Sequence, residues 1–509
     1  MKIIFKIRML ETKLKLFFIF VVLIFISACS MQIGKKKPNI IIVFADDLGY
    51  GDLQCYNPES KIPTPNLNSL AEEGIRFTDA HTSAAVCTPS RYSLLTGRYC
   101  WRSRLKRGVL SGYSATLIEK DIPTIGHLLQ DNGYHTTIIG KWHLGVDWVW
   151  KNRIDSGGGL KHIPEREDID YSEPILRGAK EAGFDYSYIL PGSLDMGPYT
   201  YLENNRVVDV PSEDFEAVGF PKYIRKGHIS KSFSHEKALA HLTTKVVKHI
   251  RVQSKKSNPF FLYFPLTAPH KPVIPSKKFK GKSGLGDYGD FVMQIDWVVG
   301  EVKKAVKSAG IEEETIIMVS SDNGSFMYRL NPDRPDHTDD PTIQGYRAEN
   351  HKANGNLRGT KADIYEGGHR VPFIFQWKGA NLNIKEIDQT VCLTDVLATI
   401  ADIVNADLNK EKAQDSYSFA PLLHGNDRYR PAVVHHSARG HFALRDGKWK
   451  LIFSTGSGGR AKPRGKAFAK PYQLYDMEND PAETVNLAEK FPEIVEKLEL
   501  ELEKIRKSN

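Results

Sequence analysis

The sequence predicts an α/β fold: a large, doubly wound, mostly parallel sheet flanked by helices, with a smaller C-terminal α+β subdomain containing an antiparallel sheet. Three observations carry this. Short continuous apolar runs recur at 39–45 (NIIIVFA), 136–139, 260–264, 316–320 and 371–375, the pattern of strands buried on both faces. Helix-period segments lie between them, at 66–73, 123–132, 287–308 and 395–404. After residue 425 the texture changes. The segment 442–452 (FALRDGKWKLI) reads as a hairpin turning at Asp446-Gly447, followed by a strand at 472–476 and an amphipathic helix over 492–507. The predicted organisation is a leader over 1–28, a tether over 29–37, an α/β domain over 38–425 and the C-terminal subdomain over 426–509.

With 509 residues the chain is too long for one small domain. Hydrophobic residues at 41% and charged residues at 26% are ordinary globular values, which excludes a disordered, collagen-like or polytopic membrane chain. The net charge of +9 is concentrated at one end. Residues 1–28 contribute +4 and Lys35–Lys37 another +3, which leaves +2 on 38–509. So near-neutral a body gives no argument for nucleic acid, and none is expected as a partner. The basic start leads into an apolar run over 16–28, too short for a spanning helix, and reads as a signal peptide. It ends Ile26-Ser27-Ala28-Cys29, similar to a bacterial lipoprotein box, with Cys29 as the lipidated residue and membrane anchor; an ordinary secretory signal is the alternative. Either way the protein is expected outside the cytoplasm, in the outer membrane or periplasm. Ser30 fits outer-membrane sorting. Besides Cys29 there are Cys55, Cys87, Cys100 and Cys392, compatible with one disulfide or none, and no pattern suggests zinc.

Ligands of doubly wound sheets sit beyond the C-terminal strand ends, so the residues just after each apolar run are informative. The first run leads into Asp46 and Asp47, and the fourth into Asp322-Asn323-Gly324. Three acids and an amide carbonyl are hard oxygen donors suited to Ca²⁺ or Mg²⁺, although each motif alone is a common turn. The other ends carry Lys141 with His143 (GKWHLG) and His270 with Lys271 (APHKP). Cys87-Thr88-Pro89-Ser90-Arg91 stands apart: Pro89 suits a helix start, so Cys87 lies where helix N–H groups favour an anion.

CTPSR fits the C-x-P-x-R element in which sulfatases oxidise cysteine to formylglycine. With LLTGR after it, and DDLGYGD and GKWHLG in order around it, the chain resembles the formylglycine-dependent (type I) sulfatases of the alkaline-phosphatase superfamily, in particular bacterial polysaccharide sulfatases. The resemblance runs from about residue 38 to 500, through SSDNG (320–324), LRGTKADIYEGGHRVP (357–372) and LYDMENDPAETVNLA (474–488). It implies one Ca²⁺ held by Asp46, Asp47, Asp322, Asn323 and an oxygen of modified Cys87. It implies a formylglycine hydrate that attacks sulfur, with Asp322 as proton acceptor and His270 and Lys361 as the pair that protonates the leaving alcohol. His143 then takes a proton so that sulfate is eliminated from residue 87. Lys141 and Lys361 offset sulfate charge, and Arg91 holds the hydrate and its helix; a surface arginine is the plain alternative. The implied partners are a sulfated carbohydrate (algal, such as ulvan or carrageenan, or a glycosaminoglycan) and a formylglycine-generating or sulfatase-maturating enzyme.

Other positions carry weaker readings. Glu366-Gly367-Gly368-His369-Arg370 reads as loop and packing structure. His337, Asp339, Asp340 and His351 read as solvated loop or substrate contacts. Asp195, Arg102 and Arg104 are candidates to reach sugar hydroxyls or neighbouring sulfates. Gly456–Lys470 reads as a flexible loop, or as one leaning over the site. The rivals are a phosphonate or phosphate monoester hydrolase of the same superfamily and a catalytically silent glycan-binding lipoprotein.

Overall fold

The computed structural model describes residues 37–151, 169–219, 221–327, 343–347, 349–428 and 430–508. Asn39–Asn509 form one compact unit. Its centre is the strand Asn39–Asp46, all of whose residues are buried. It pairs in parallel with Phe260–Pro269 on one side and Thr315–Ser321 on the other, with Ile40 beside both Phe261 and Ile316. His135–Lys141 pairs in parallel with Phe260–Pro269, and Tyr186–Leu190 in parallel with His135–Lys141. These five parallel strands form the middle of a ten-stranded sheet. Outside them the pairings turn antiparallel, Phe373–Trp377 and then Ile75–Phe77 on one side, Leu202–Glu203 and Arg206–Val207 on the other, and Glu386–Ile387 closes the first side in parallel with Ile75–Phe77.

Residues of a strand alternate between faces, and the central strand is apolar on both. Ile40, Ile42 and Phe44 face a core completed by Tyr92, Leu94 and Leu95 of the helix Cys87–Thr96 and by the helices Ile125–Asp131 and Val396–Val404. Ile41, Val43 and Ala45 face a second core against the helices Pro65–Glu73, Ala238–Gln253 and Gly286–Ser308. Burying each large apolar side chain stabilises the fold by about 1.5–3 kcal/mol, which is why uninterrupted apolar runs become central strands.

The C-terminal part is a four-stranded antiparallel sheet, Val433–His436, Phe442–Asp446, Trp449–Ile452 and Gln473–Asp476. Asp446 pairs with Trp449 across the hairpin, and Gly447 takes the left-handed conformation that the tight turn requires (φ 54°). The helix Pro492–Lys507 buries Leu498 and Leu502 against this sheet, together with Tyr99 and Trp101 from the chain after Cys87–Thr96. Among the described residues no helix is long and apolar enough to cross a membrane, and Cys55, Cys87, Cys100 and Cys392 are all free thiols.

A buried ion cluster joins the two parts. Asp395, just before the helix Val396–Val404, accepts from Arg430 Nε (2.8 Å), Arg430 Nη2 (3.0 Å) and Arg428 Nη2 (3.2 Å), on the segment leading into Val433–His436. Asp395→Ala leaves two buried guanidinium groups without a counter-charge. We expect a loss of about 3–5 kcal/mol of stability, read as a lowered thermal unfolding midpoint; an unchanged midpoint contradicts this account.

Candidate active site

Four parallel strands deliver their last residues to one edge of the sheet. Asp46 ends the central strand; were the strand to continue, Asp47 would point to the opposite face. Instead Asp47 adopts the left-handed conformation (φ 68°), which breaks the alternation and keeps both acids at the same site. His143, two residues beyond Lys141, does the same (φ 55°), and so does Ala362 after Lys361 (φ 82°). Three non-glycine residues held at positive φ around one group of charged side chains mark backbone strain concentrated at a candidate site.

Each acid meets a cation from another element. Lys141 Nζ donates to both oxygens of Asp46 (2.8 and 2.7 Å). Lys361 Nζ lies 2.7 and 2.9 Å from the two oxygens of Asp47 and 3.2 Å from Cys87 Sγ. Arg91 donates through Nε (3.0 Å) and Nη2 (2.7 Å) to Asp322 Oδ2, and its guanidinium lies over the Phe44 ring. Asn323 Nδ2 donates to Asp47 Oδ1 (2.7 Å), and the Asp47 amide donates to Asp322 Oδ1 (3.1 Å). Asp46, Asp47, Asp322, Asn323, Arg91 and Lys141 are wholly inaccessible, and Cys87 nearly so.

Cys87 opens its helix, and Thr88 fastens that helix to its surroundings. The Thr88 hydroxyl donates to the His143 carbonyl (3.0 Å) and accepts from the Leu110 amide (3.2 Å). Leu110 in turn fixes the imidazole: its carbonyl lies 2.7 Å from His143 Nε2, and because a carbonyl only accepts, Nε2 carries the proton. His143 Nδ1 is left as a buried acceptor with no partner among the described residues. His270 Nδ1 faces the Lys271 carbonyl, which puts the proton on Nδ1 and turns Nε2 to within 3.7 Å of Asp47 Oδ2.

The electrostatics follow from burial and these pairings. Burial would raise the Asp46 carboxyl, but Lys141 above all, with Arg91, holds it well below its ordinary value. Burial pushes Asp322 up to about 6, with Arg91 opposing and Asp46 reinforcing the shift. Burial, then Lys141 and Arg91, keeps His143 neutral; burial and Lys361 do the same for His270. Burial and the Asp322 charge push the Cys87 thiol well above its ordinary range.

The residues fit a hard divalent cation. Asp46, Asp47, Asp322 and Asn323 offer oxygen donors, and Asn323 Oδ1 is a buried oxygen with no hydrogen-bond partner among the described residues. Ligand atoms of Asp46, Asp47, Cys87 and His270 all lie within 4.8 Å of one another. A second cluster, His81, His369 and His435, lies apart from this group. There the His369 and His435 rings stack at 3.9 Å and 10°, so no single ion can lie in the plane of both. That cluster is hydrogen-bonded packing, tied to Asp79, Ile364 and Lys450.

The structure thus brings together Asp46, Asp47, Cys87, Arg91, Lys141, His143, His270, Asp322, Asn323 and Lys361. Asp195 joins them, with Oδ1 3.9 Å from His270 Nδ1 and an ion pair to Arg225. Other expectations are corrected. Arg102 is not free to meet sugars: it binds Asp415 (2.8 and 2.9 Å); Arg104 donates one nitrogen to the Ala115 and Thr116 carbonyls and stays exposed. His351 is not solvated loop; it is buried, with Nε2 2.7 Å from Asp52 Oδ1. Glu366–His369 forms a short buried helical turn rather than a loop, and Gly324 approaches Gly367 so closely that a Cβ there would lie 1.9 Å from its carbonyl oxygen. The Gly456–Lys470 segment begins buried and leans on Ala362 and Asp363, with the Ala461 amide donating to Asp363 (2.9 Å). His337, Asp339, Asp340 and Cys29 lie outside the described residues.

Sequence reasoning missed Thr88, Ser193 (Oγ 3.4 Å from His270 Nδ1) and the backbone roles of Leu110 and Ala362. Only Thr88 and Ser193 carried a signal, being polar residues inside the CTPSR and SLDM segments.

This parallel sheet, with buried acids, lysines and histidines beyond its C-terminal edge, defines a member of the alkaline-phosphatase superfamily. The sulfatase family model matches residues 38–406. An N-acetylgalactosamine-6-O-sulfatase of Bacteroides thetaiotaomicron is 30% identical, covering 94% of this chain and 96% of its own. Human arylsulfatase A is 30% identical, covering 91% and 86%. A solved structure from work on the metabolism of multiple glycosaminoglycans by B. thetaiotaomicron aligns with a TM-score of 0.79 and 30% identity, covering 92% of this chain and 99% of that one. The chain belongs to the sulfatase family, and it is a sulfuric ester hydrolase.

Arg91→Lys tests the Asp322 contact. A single ammonium cannot reproduce the two N–H donors of one planar group, so we expect sulfatase activity to fall at least tenfold while the thermal midpoint moves by only a few degrees. Retained activity contradicts the positioning role.

Proposed function

We propose that this sulfatase removes sulfate from a sulfated carbohydrate, a polysaccharide or its oligosaccharides, with Ca²⁺ as its metal and a formylglycine made from Cys87. The observation that carries the proposal is the setting of Cys87: at a helix N-terminus, buried, 3.2 Å from Lys361 Nζ and beside the oxygen-donor cluster. As a thiol the residue is held protonated, a poor nucleophile and a poor ligand for a hard ion. The relatives named for N-acetylgalactosamine 6-O-sulfate and for glycosaminoglycan metabolism support a carbohydrate substrate.

Asp46, Asp47, Asp322 and Asn323 would hold the ion, which supplies polarisation of sulfate oxygens, while a hydrated formylglycine supplies an oxygen nucleophile. Lys141 and Lys361 place two ammonium groups where negative charge accumulates on the ester. Arg91 fixes Asp322 and the helix that bears residue 87. His270, with its Nδ1 proton directed at the Lys271 carbonyl and Asp195 behind it, turns Nε2 toward the site; with Lys361 it forms the pair assigned to protonate the departing alcohol, a role that requires Nε2 to take up a proton once the anionic ester is bound. His143, neutral and with Nδ1 bare, is the base assigned to take the proton that lets inorganic sulfate leave. Export on a lipid anchor at Cys29 and maturation by a formylglycine-generating enzyme belong to the same proposal.

Peptide mass spectrometry across 77–91 on protein from its native host should show Cys87 lighter by about 18 Da, the replacement of SH by an aldehyde oxygen. Finding only cysteine there sinks the formylglycine reading. Separately, His143→Ala should release about one equivalent of alcohol product per enzyme and then stall. Steady turnover by that variant removes His143 from its assigned role.

A further inference from the structure

Beyond the C-terminal end of the Cys87–Thr96 helix lies a recess of about 620 Å³ whose lining includes Arg98, Lys106, Arg107, Arg439 and Arg506 and, among the described residues, no acidic residue. Among the described residues none of these five is paired with a carboxylate. Arg102 also lines the recess, but Asp415 answers its charge at 2.8 Å. Residues 38–509 carry a net charge of only +2, so five unpaired cations around one hollow are a local concentration and not the general character of the surface. A concave wall of one sign focuses the field and draws anions inward. Trp101 and Phe442 give the hollow an apolar floor.

Two backbone segments connect this recess to the catalytic centre. Leu110, whose carbonyl holds His143, is three residues from Arg107, at most about 11 Å of extended chain. Ala438 donates its amide to the carbonyl of Ala362, the neighbour of Lys361, and accepts from the Gly108 amide; Arg439 is the next residue. Arg107 and Arg439 thus sit on the same two segments that brace His143 and Ala362.

We propose that the recess is a second anion subsite, taking a further sulfate or carboxylate group of the same glycan chain whose ester lies at Cys87. Guanidinium groups suit both oxyanions, which accept two parallel N–H bonds. The inference rests on the sulfatase reading and sharpens it: the substrate is a polyanionic chain longer than one sugar. The link through Arg107 and Arg439 to the segments that brace His143 and Ala362 favours a glycan, a chain long enough to reach from the ester to the recess, over a nucleic acid or an anionic membrane.

The test is calorimetric binding to the full chain carrying Cys87→Ala, with and without Arg107→Ser plus Arg439→Ser. The probes are a chondroitin 6-sulfate hexasaccharide and N-acetylgalactosamine 6-sulfate. The proposal requires the double substitution to weaken hexasaccharide binding at least tenfold and flatten its salt dependence, leaving the monosaccharide unaffected. Equal loss for both probes, no loss for either, or no hexasaccharide binding at all overturns it. So does tighter binding of a DNA duplex or phosphatidylglycerol vesicles that the substitutions abolish. Turnover of p-nitrophenyl sulfate by the Cys87 enzyme is measured alongside. If it is absent while the hexasaccharide effect persists, the catalytic reading fails and the subsite stands; if it is present while the effect is missing, only the subsite falls.

Discussion

Three carboxylates buried at the ends of parallel strands cannot remain ionised unless something answers their charge, and most of the site's construction follows from that constraint. Each acid has its own cation: Lys141 for Asp46, Lys361 for Asp47, Arg91 for Asp322. The partners come from different elements, a neighbouring strand, a loop and the Cys87 helix, so neutralising the acids also ties those elements together. The three pairs cancel. A dication added to this balanced group would leave an excess of two positive charges, of which a singly charged sulfate ester would offset one, so ion and substrate would favour each other's binding.

The C-terminal sheet acts on the site from outside. Its Lys450 is buried between Glu366 and Glu483, and Glu366 begins the turn whose glycines pack on Asp322-Asn323-Gly324. The adjoining loops support Ala362 through Ala438, holding the strained residue next to Lys361. A small sheet whose strands contribute no side chain to the acid cluster therefore helps fix the position of the lysine that answers Asp47.

The central strands were legible because burial on both faces leaves an uninterrupted apolar run, and the residues beyond them were legible because parallel strands put their ends together. The two-residue strands Leu202–Glu203 and Arg206–Val207 have no pattern to read; their pairing is tertiary. The helix Ala238–Gln253 did carry a readable apolar spacing in Leu239, Leu242, Val246 and Ile250 but was not singled out. Arg102 and His351 misled for one shared reason. A polar residue in a sequence looks available, and only the fold reveals that Asp415 and Asp52 already hold them. Nothing in the letter for alanine announces that Ala362 sits at positive φ.

The near-complete burial of Cys87 sets an order of events. Its sulfur lies under Lys361 and the helix that it opens is packed on both sides, so no other protein can grip this side chain once the chain has closed. The residues that cover it arrive late in synthesis: Lys361 lies some 270 positions downstream, and the Ala438 segment that braces it later still. Any enzyme that alters Cys87 has a window between the emergence of that cysteine and the docking of the last third of the chain. The fold itself is the timer.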